Sequence, residues 1–400
     1  MHIRRIHSIY RNNRIDAPFF TFLFAVGFSN LLGLGSYMLL VLCGIYFTWN
    51  YCRVKIPASV FPILLFSCLY FVFQIGYGDT LGTFKIFLCP LLWLVGYNFD
   101  RFSDVRAILK TAAILALGMA VHGLANYYYN TVAGISMGEM TKMDIWTGEG
   151  TAATGQAVLF TPFLALFTWL VFAEQKRWIK AGVLLLFFCA LMYSIQLGSR
   201  TFLLLAILSV LPGVLFSAQK RGIGLKILLA AAVLAAIVAV LYSKDTFGLR
   251  TYIEGSYLFR RMAVEKGFYH LSENSRFHYK KKYLENAFRY PWGGSHLHRD
   301  VVGAYAHDLW LDILDEAGIL TALAILIYTT IAFCRILLLS QSKKSARDES
   351  VALRSYAMIM GAQFFVEPIW QGSPQLLLYF VMIDGMLSSC VMQCRKRASQ

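Results

Sequence analysis

Long apolar runs recur from one end of the chain to the other and constrain what it can fold into. They are about 17 to 23 residues long, the length that a helix needs to cross a hydrocarbon core of roughly 30 Å. Hydrophobic residues make up 58% of the 400 residues and charged residues only 15%, far more apolar than a soluble domain requires. We therefore expect an all-α, polytopic integral membrane protein, with a single membrane domain over residues 1–400.

Charged and turn-forming breaks divide these runs into twelve predicted spans. The spans are 17–33, 35–51, 56–76, 81–99, 105–127, 151–173, 181–197, 201–216, 224–242, 318–340, 351–369 and 375–392. Lysine and arginine fill every second break, whereas the short breaks 77–80 and 371–374 contain neither. Because short basic loops stay in the cytoplasm, both termini are predicted to be cytoplasmic. Much of the net charge of +15 then reflects membrane topology, and a nucleic-acid partner is not needed to explain it.

Motifs for nucleotide or metal chemistry are not found in the sequence. There is no P-loop, no G-x-G-x-x-G before a helix, no H-E-x-x-H and no G-x-S-x-G. The eight cysteines form no C-x-x-C pair, so neither a zinc site nor a disulfide framework is indicated. We expect chemistry that uses no metal and no cofactor.

One long outer loop, between the ninth and tenth spans, departs from the short-loop pattern. Residues 243–304 hold eleven Lys/Arg against six Asp/Glu, with aromatic residues interleaved, a mixture that suits helices lying at the membrane interface. Most of these residues are explained by contact with lipid headgroups. Arg276 and Lys280 are different, because a helix after Asn274 or Ser275 would place the two like charges four residues apart on one face. A bound anion would relieve that repulsion.

Two further charges stand at predicted outer ends of spans. Arg200 lies in the tight break of "LGSRTF", where short outer loops avoid arginine. Glu367, in "FFVEPIW", precedes the helix-ending Pro368. An ionisable residue at that depth is a functional candidate. The alternatives are that Arg200 is an interfacial arginine that extends to the headgroups and that Glu367 is its structural partner.

His307 opens the amphipathic stretch "AHDLWLDILDEAGI". A helix over residues 305–316 would place Asp308, Asp312 and Asp315 on one side and His307 with the leucines on the other, toward the protein. A lone histidine of this kind is often a packing residue. Near a diphosphate-binding arginine, however, a neutral imidazole can accept a proton from a hydroxyl.

Three segments in this order resemble the O-antigen ligase and O-antigen polymerase superfamily of bacterial envelope glycan enzymes. They are "GSRTFLLLAIL", then "SRFHYKKKYLENAFRYPWGG" in a long outer loop, then "AHDLWLDILDEAGILTALAILIY"; "GTAATGQAV" fits the segment entering the sixth span. The resemblance covers about residues 150–340.

The resemblance implies metal-independent, inverting glycosyl transfer from an undecaprenyl-diphosphate-linked glycan, in a catalytic loop at 243–317. It assigns Arg200, Arg276 and His307 to catalysis, and Glu316 with Gly318 matches the family's Glu-x-Gly. Lys280, Arg289, Glu316 and Glu367 are expected to assist in substrate binding. Asp308 stands where the family usually has Asn, so it receives no catalytic role.

The expected enzyme lies in the bacterial inner membrane, with its site on the outer face. A polymerase would join the donor glycan to another lipid-linked repeat unit, and a ligase would pass it to lipid A core; a chain-length regulator is a further candidate partner. The aromatic loop favours polymerisation of surface polysaccharide. The alternative from another class is a flippase or exporter of lipid-linked oligosaccharide, for which Lys85 and Arg335 are the obvious basic residues within the spans.

Overall fold

The described residues of the computed structural model are 17–33, 36–50, 53–78, 83–99, 104–134, 141–173, 176–218, 240, 242–264, 275–342 and 346–398. Most of them are helical. The predicted ninth span and the basic segment 1–16 lie almost wholly outside these ranges, as does the cap position at Asn274.

The α-helices within these ranges are numbered in chain order. They are α1 Ala17–Phe28, α2 Ser36–Trp49, α3 Phe61–Gly76, α4 Leu88–Asn98, α5 Val105–Val132, α6 Ala153–Val158, α7 Thr161–Ala173, α8 Arg177–Leu197, α9 Arg200–Ala218, α10 Leu249–Glu254, α11 Tyr257–Val264, α12 Ser275–Asn286, α13 Leu309–Gln341, α14 Arg347–Val366, α15 Ile369–Gly372 and α16 Pro374–Ala398. A short antiparallel hairpin, β1 Thr141–Met143 and β2 Gly150–Ala152, departs from the all-α expectation.

Six helices in the described chain are long and apolar enough to cross a membrane. They are Ala58–Gly76, Val105–Val132, Ala153–Phe172, Arg177–Leu197, Leu309–Gln341 and Pro374–Gln393. Shorter apolar helices occupy the first, second, fourth and eighth predicted spans, so the total of twelve and the orientation stay predictions. Large apolar side chains such as Leu185 (64% exposed) and Phe188 (56% exposed) cover the outside of α8, as on a surface that faces lipid.

Two predicted boundaries are wrong, and each error has a local cause. The helix expected from 305 begins only at Leu309, because Asp308 is an extended N-cap whose side chain accepts from the backbone N–H groups of Trp310 and Leu311. The eleventh span ends at Val366 instead of 369, because Glu367 is extended ahead of Pro368. Asp308 and Glu367, which were both expected to be helical, therefore have extended backbones at helix ends.

Small residues allow neighbouring helices to approach closely. A Cβ atom at Gly96 of α4 would lie 2.2 Å from the carbonyl oxygen of Met382, and one at Gly385 of α16 would lie 2.1 Å from that of Trp93. Helix pairs in membranes gain most of their attraction from such backbone proximity. The glycines therefore fix the contact between α4 and α16.

A buried ion pair joins the same helices to α13. Asp384 of α16 pairs with the guanidinium of Arg335, and its other oxygen accepts from Trp93 Nε1 at 2.8 Å and Tyr328 Oη at 3.2 Å. The Asp384 side chain is fully buried and that of Arg335 is 11% exposed. The carboxylate is thus compensated from two other helices.

We expect Asp384→Asn to lower the free energy of unfolding by about 3–5 kcal/mol, because it leaves the Arg335 charge unpaired in a nonpolar setting. The measurement is thermal unfolding in detergent micelles. Asp300→Asn, at an exposed ion pair with His296, is the control and should change stability by no more than about 0.5 kcal/mol. Equal effects of the two substitutions would show that the buried pair does not hold the helices together.

Candidate functional site

Four segments that are distant in sequence meet at one group of polar side chains. The start of α9 contributes Thr201, α12 contributes Arg276, the turn before α13 contributes His307, and the end of α14 contributes Glu367. We call these four residues the Glu367 cluster. Three of them were predicted as site residues from the sequence, and the fold brings those three together.

Glu367 is the centre of the cluster and is 2% exposed. Its Oε1 atom accepts hydrogen bonds from Arg276 Nη1 at 3.2 Å and from the Thr201 hydroxyl. Its Oε2 atom lies 3.8 Å from His307 Nδ1, an ion-pair separation longer than a hydrogen bond. The buried carboxylate therefore stands between a guanidinium and an imidazole.

Arg276 connects α12 to the end of α14. It lies in the first turn of α12, and its Nη1 atom also donates to the carbonyl oxygen of Val366 at 2.8 Å. The side chain is 30% exposed. One edge of the guanidinium is held against the end of α14, while the group stays within reach of a ligand from the surface.

His307 is held in an unusual backbone conformation. Its φ of +55° lies in the left-handed region, which costs a non-glycine residue about 1–3 kcal/mol and persists only where the surroundings enforce it. Because Nδ1 faces Glu367, Nε2 is on the opposite edge of the ring. The side chain is 24% exposed, so the imidazole can meet a hydroxyl.

Lys280 follows Arg276 by one helical turn and points inward, as the same-face prediction requires. Its ammonium is 3.0 Å from Asp308 Oδ2 and donates to the carbonyl oxygen of Phe365. Burial raises the pKa of Asp308, and the Lys280 ammonium opposes that rise. The two like charges on α12 are each compensated by a carboxylate of the protein, at Glu367 and at Asp308.

The acidic side of the 305–316 segment does not face solvent. Asp312 and Asp315 are both 1% exposed, and Asp315 Oδ1 accepts from the backbone N–H of His298 at 3.1 Å. The segment after α12 folds over this side of α13, which the helical pattern of a single stretch could not show. The sequence pattern placed the three aspartates on one side of the segment but did not predict that this side is covered.

Glu316 lies in a second network beside the cluster. Its Oε2 atom accepts from Tyr70 Oη at 2.6 Å, and Trp370 Nε1 donates to the same Tyr70 oxygen at 2.8 Å. Trp370 belongs to the short helix α15, which begins two residues after Glu367. Glu316 therefore ties α13 and α3 to the segment that carries Glu367.

Steric constraints require a glycine at the last position of the Glu-x-Gly motif. Gly318 has φ +80° at a kink inside α13, and a Cβ there would lie 2.3 Å from the carbonyl oxygen of Pro291. The turn after α12 also docks by hydrogen bonds from Gly294 N to Glu316 O (3.0 Å) and from Ile319 N to Pro291 O (2.9 Å). The "YPWGG" turn predicted from sequence thus packs on the kink.

Of the other two predicted residues, Arg200 adjoins the cluster, whereas Arg289 lies beyond the far end of α12, about 20 Å from Arg276 at 1.5 Å of rise per helical residue. Arg200 is the exposed first residue of α9, next to Thr201. Arg289 is exposed in the turn Ala287–Arg289, with its guanidinium 5.5 Å from the centre of the Tyr290 ring. Thr201 was not singled out from the sequence; its position beside Arg200 in "GSRT" was the available signal.

A second buried polar cluster was also missed. His122 Nε2 lies 3.0 Å from Asp144 Oδ2, and Asn126 Nδ2 bridges Asp144 (3.3 Å) and Gln156 Oε1 (3.2 Å). His122, Asn126 and Asn130 recur at every fourth residue of the apolar helix α5. That spacing puts three polar residues on one face, and it was the signal available in the sequence.

Neither comparison with known proteins assigns the chain to a family. No protein-family model matches it, and no curated protein matches it in sequence. Among the described residues, no group of three or more His, Cys, Asp or Glu is arranged to hold a metal ion.

The hairpin that carries Asp144 should depend on its charge. Burial raises the pKa of Asp144, but hydrogen bonds from His122 and from the backbone N–H groups of Trp146 and Thr147 outweigh it, so the pKa lies below its usual value. The ionised form therefore stabilises the fold at neutral pH, and this contribution is lost as the pH falls through the folded-state pKa.

We expect Asp144→Asn to weaken the β1–β2 hairpin by about 1.5–3 kcal/mol, the contribution of hydrogen bonds to a charged group. Amide hydrogen exchange at Trp146 and Thr147 should then accelerate by about tenfold to a hundredfold at neutral pH. Glu149→Gln, at an exposed position of the same loop, is the control. Unchanged exchange in Asp144→Asn would exclude a role of its charge in holding the hairpin.

Proposed function

We propose that this protein catalyses metal-independent, inverting glycosyl transfer from an undecaprenyl-diphosphate-linked oligosaccharide, and that it polymerises the repeat units of a surface polysaccharide. The observation that carries the proposal is the convergence of Arg276 and His307 on the buried carboxylate of Glu367. The three residues come from separate segments. A cation and a base that are held together in this way are what the transfer reaction requires.

Arg276 has the chemistry to stabilise the leaving group. A guanidinium fork matches the oxygens of a diphosphate, and its charge would offset the negative charge that develops as the glycosidic bond breaks. Arg200, exposed at the start of α9, adds positive charge beside Thr201, and Arg289, exposed after the end of α12, adds positive charge farther along the same segment. These residues would bind the donor from the outer face of the membrane.

His307 has the position of a general base. Glu367 on the Nδ1 side favours the tautomer with the proton on Nδ1, which leaves Nε2 to accept the proton of the acceptor hydroxyl. The acceptor oxygen then forms a bond with the anomeric carbon, and the bond from that carbon to the phosphate oxygen breaks. Its electron pair goes to the diphosphate, and the anomeric configuration inverts.

The buried charge inside the membrane helices favours an enzyme over an exporter. Arg335, one of the two cations that an exporter would use, is paired with Asp384, whose other oxygen accepts from Trp93 and Tyr328. Lys85 lies 5.0 Å from the centre of the Tyr37 ring. By contrast, Arg276 and His307 are both partly exposed, as groups that meet a substrate must be.

The test is a product assay with the purified protein in lipid bilayers. The protein receives one defined undecaprenyl-diphosphate-linked repeat unit without added metal, and chain length is read by mass spectrometry. A ladder of longer lipid-linked glycans supports polymerisation, whereas a product formed only with lipid A core supports the ligase alternative. Movement of the lipid-linked unit across the bilayer without a new glycosidic bond would overturn the proposal in favour of an exporter.

We expect His307→Ala to lower kcat by about 10²–10⁴-fold, the usual contribution of a general base, with donor binding retained. His278→Ala, which removes an exposed histidine of α12, is the matched control and should keep wild-type kcat. The kinetics are measured in the same bilayer assay. Activity of His307→Ala equal to that of the control would remove His307 from the mechanism.

We expect Arg276→Gln to raise the donor Kd by about tenfold to a hundredfold, because it removes hydrogen bonds to a charged group worth about 1.5–3 kcal/mol. The probe is undecaprenyl diphosphate itself. Arg250→Gln is the control, since Arg250 is paired with Glu254 and exposed in the same outer segment. If both variants bind the probe like the wild type, Arg276 does not contact the diphosphate.

A further inference from the structure

Lys280 and Asp308 form a buried ion pair beside the Glu367 cluster that the reaction itself does not use. The ammonium Nζ lies 3.0 Å from Asp308 Oδ2, and the two residues are 8% and 3% exposed. The same ammonium donates to the carbonyl oxygen of Phe365 and lies 3.6 Å from the centre of its ring. A single charged group thus connects α12, the start of α13 and the end of α14.

Lys280, Asp308 and Phe365, the three residues joined at this ammonium, each lie close in sequence to one residue of the Glu367 cluster. Lys280 lies one helical turn beyond Arg276 on α12. His307 directly precedes Asp308, and Glu367 follows Phe365 by two residues. A shift of the ammonium would therefore change the position of all three site residues relative to one another.

The two oxygens of Asp308 have separate partners. Oδ1 accepts from the backbone N–H groups of Trp310 at 3.1 Å and Leu311 at 3.3 Å, which caps α13, while Oδ2 accepts from Lys280. The carboxylate is thereby fixed immediately after His307, whose left-handed backbone needs such a constraint. Removal of either contact should free the turn that presents the imidazole.

The sequence difference at this position is consistent with the pair. Asp308 stands where the superfamily that the chain resembles usually has Asn, and a buried carboxylate in place of a neutral amide requires a cation. The ammonium of Lys280 on α12 supplies this positive charge. Buried ion pairs contribute little net stability but can fix the register between elements.

We propose that Lys280 and Asp308 are positioning residues, whose ion pair holds Arg276 and His307 in register on Glu367 and does not contact the donor. This inference rests on the proposed function and corrects the sequence-based role of Lys280 as a ligand of the substrate anion. The groups that the Lys280–Asp308 pair positions are the guanidinium of Arg276 and the imidazole of His307.

The test compares Lys280→Met, Asp308→Asn and the double variant in the bilayer assay. Lys281→Met is the matched control, because Lys281 is next to Lys280 on α12 and its own side chain is 74% exposed. We expect Lys280→Met to lower kcat by about tenfold to a hundredfold through misplacement of the site groups, with the donor KM changed by less than about threefold. The double variant should recover part of kcat, because no unpaired buried charge remains.

A rise in donor KM with kcat unchanged in Lys280→Met would overturn the proposal and make Lys280 a phosphate ligand. Wild-type kinetics in Lys280→Met and Asp308→Asn would overturn it as well. If both single variants fold, additive losses in the double variant would exclude coupling between the two residues. If Lys280→Met does not fold, the double variant keeps the test valid, since its buried groups are neutral and wild-type kinetics in it would overturn the proposal.

A second measurement is independent of catalysis. Modification of His307 by diethyl pyrocarbonate, followed by peptide mass spectrometry, should change severalfold in rate in Lys280→Met but not in Lys281→Met. If the wild type transfers no sugar while this change is observed, the proposed function fails and the positioning of His307 stands. If the modification rate is the same in both variants, the positioning role fails whatever the activity.

Discussion

The contacts between α9, α12, α13 and α14 depend on the buried carboxylate of Glu367. Pro368 ends α14 at Val366 and leaves Glu367 extended, in a place where an ionised group needs compensation. That compensation comes from Arg276 and Thr201. Helix α12 is thereby bound to α9 and α14, and the turn with His307 is brought against the same carboxylate.

Three other buried carboxylates of the described chain are also compensated by a residue of another element. Asp384 joins α16 to α13, Asp144 joins the β1–β2 hairpin to α5, and Asp308 joins α13 to α12. Apolar surface contributes little to the attraction between helices in lipid, because the lipid is equally apolar. Close approach at glycines sets the distance between helices, and these polar contacts set which elements meet. The side chains that could react with a substrate therefore lie near charged residues that hold them in place.

Local sequence predicted the elements that carry the site better than it predicted their contacts. Helix α12 begins at Ser275, close to the start predicted after Asn274 or Ser275, and the predicted turn at Pro291 and the glycine pair follows it. Both were predictable because helix stops depend on nearby residues. The start of α13 was placed too early, since the extended Asp308 depends on Lys280 of another helix as well as on its own cap. The burial of Asp312 and Asp315 was not predictable for the same reason: the segment that covers them lies elsewhere in the chain.

The sequence by itself determined the long apolar helices, the basic composition of residues 243–304 and the identity of Arg276, His307 and Glu367 as unusual residues. Hydropathy and charge are local properties, so a single stretch of sequence shows them. Only the tertiary structure decided that these three residues meet, that Lys280 faces Asp308 and that Glu316 belongs to a network with Tyr70. Such contacts join residues separated by up to hundreds of positions, and their geometry depends on how helices pack, which no short stretch of sequence encodes.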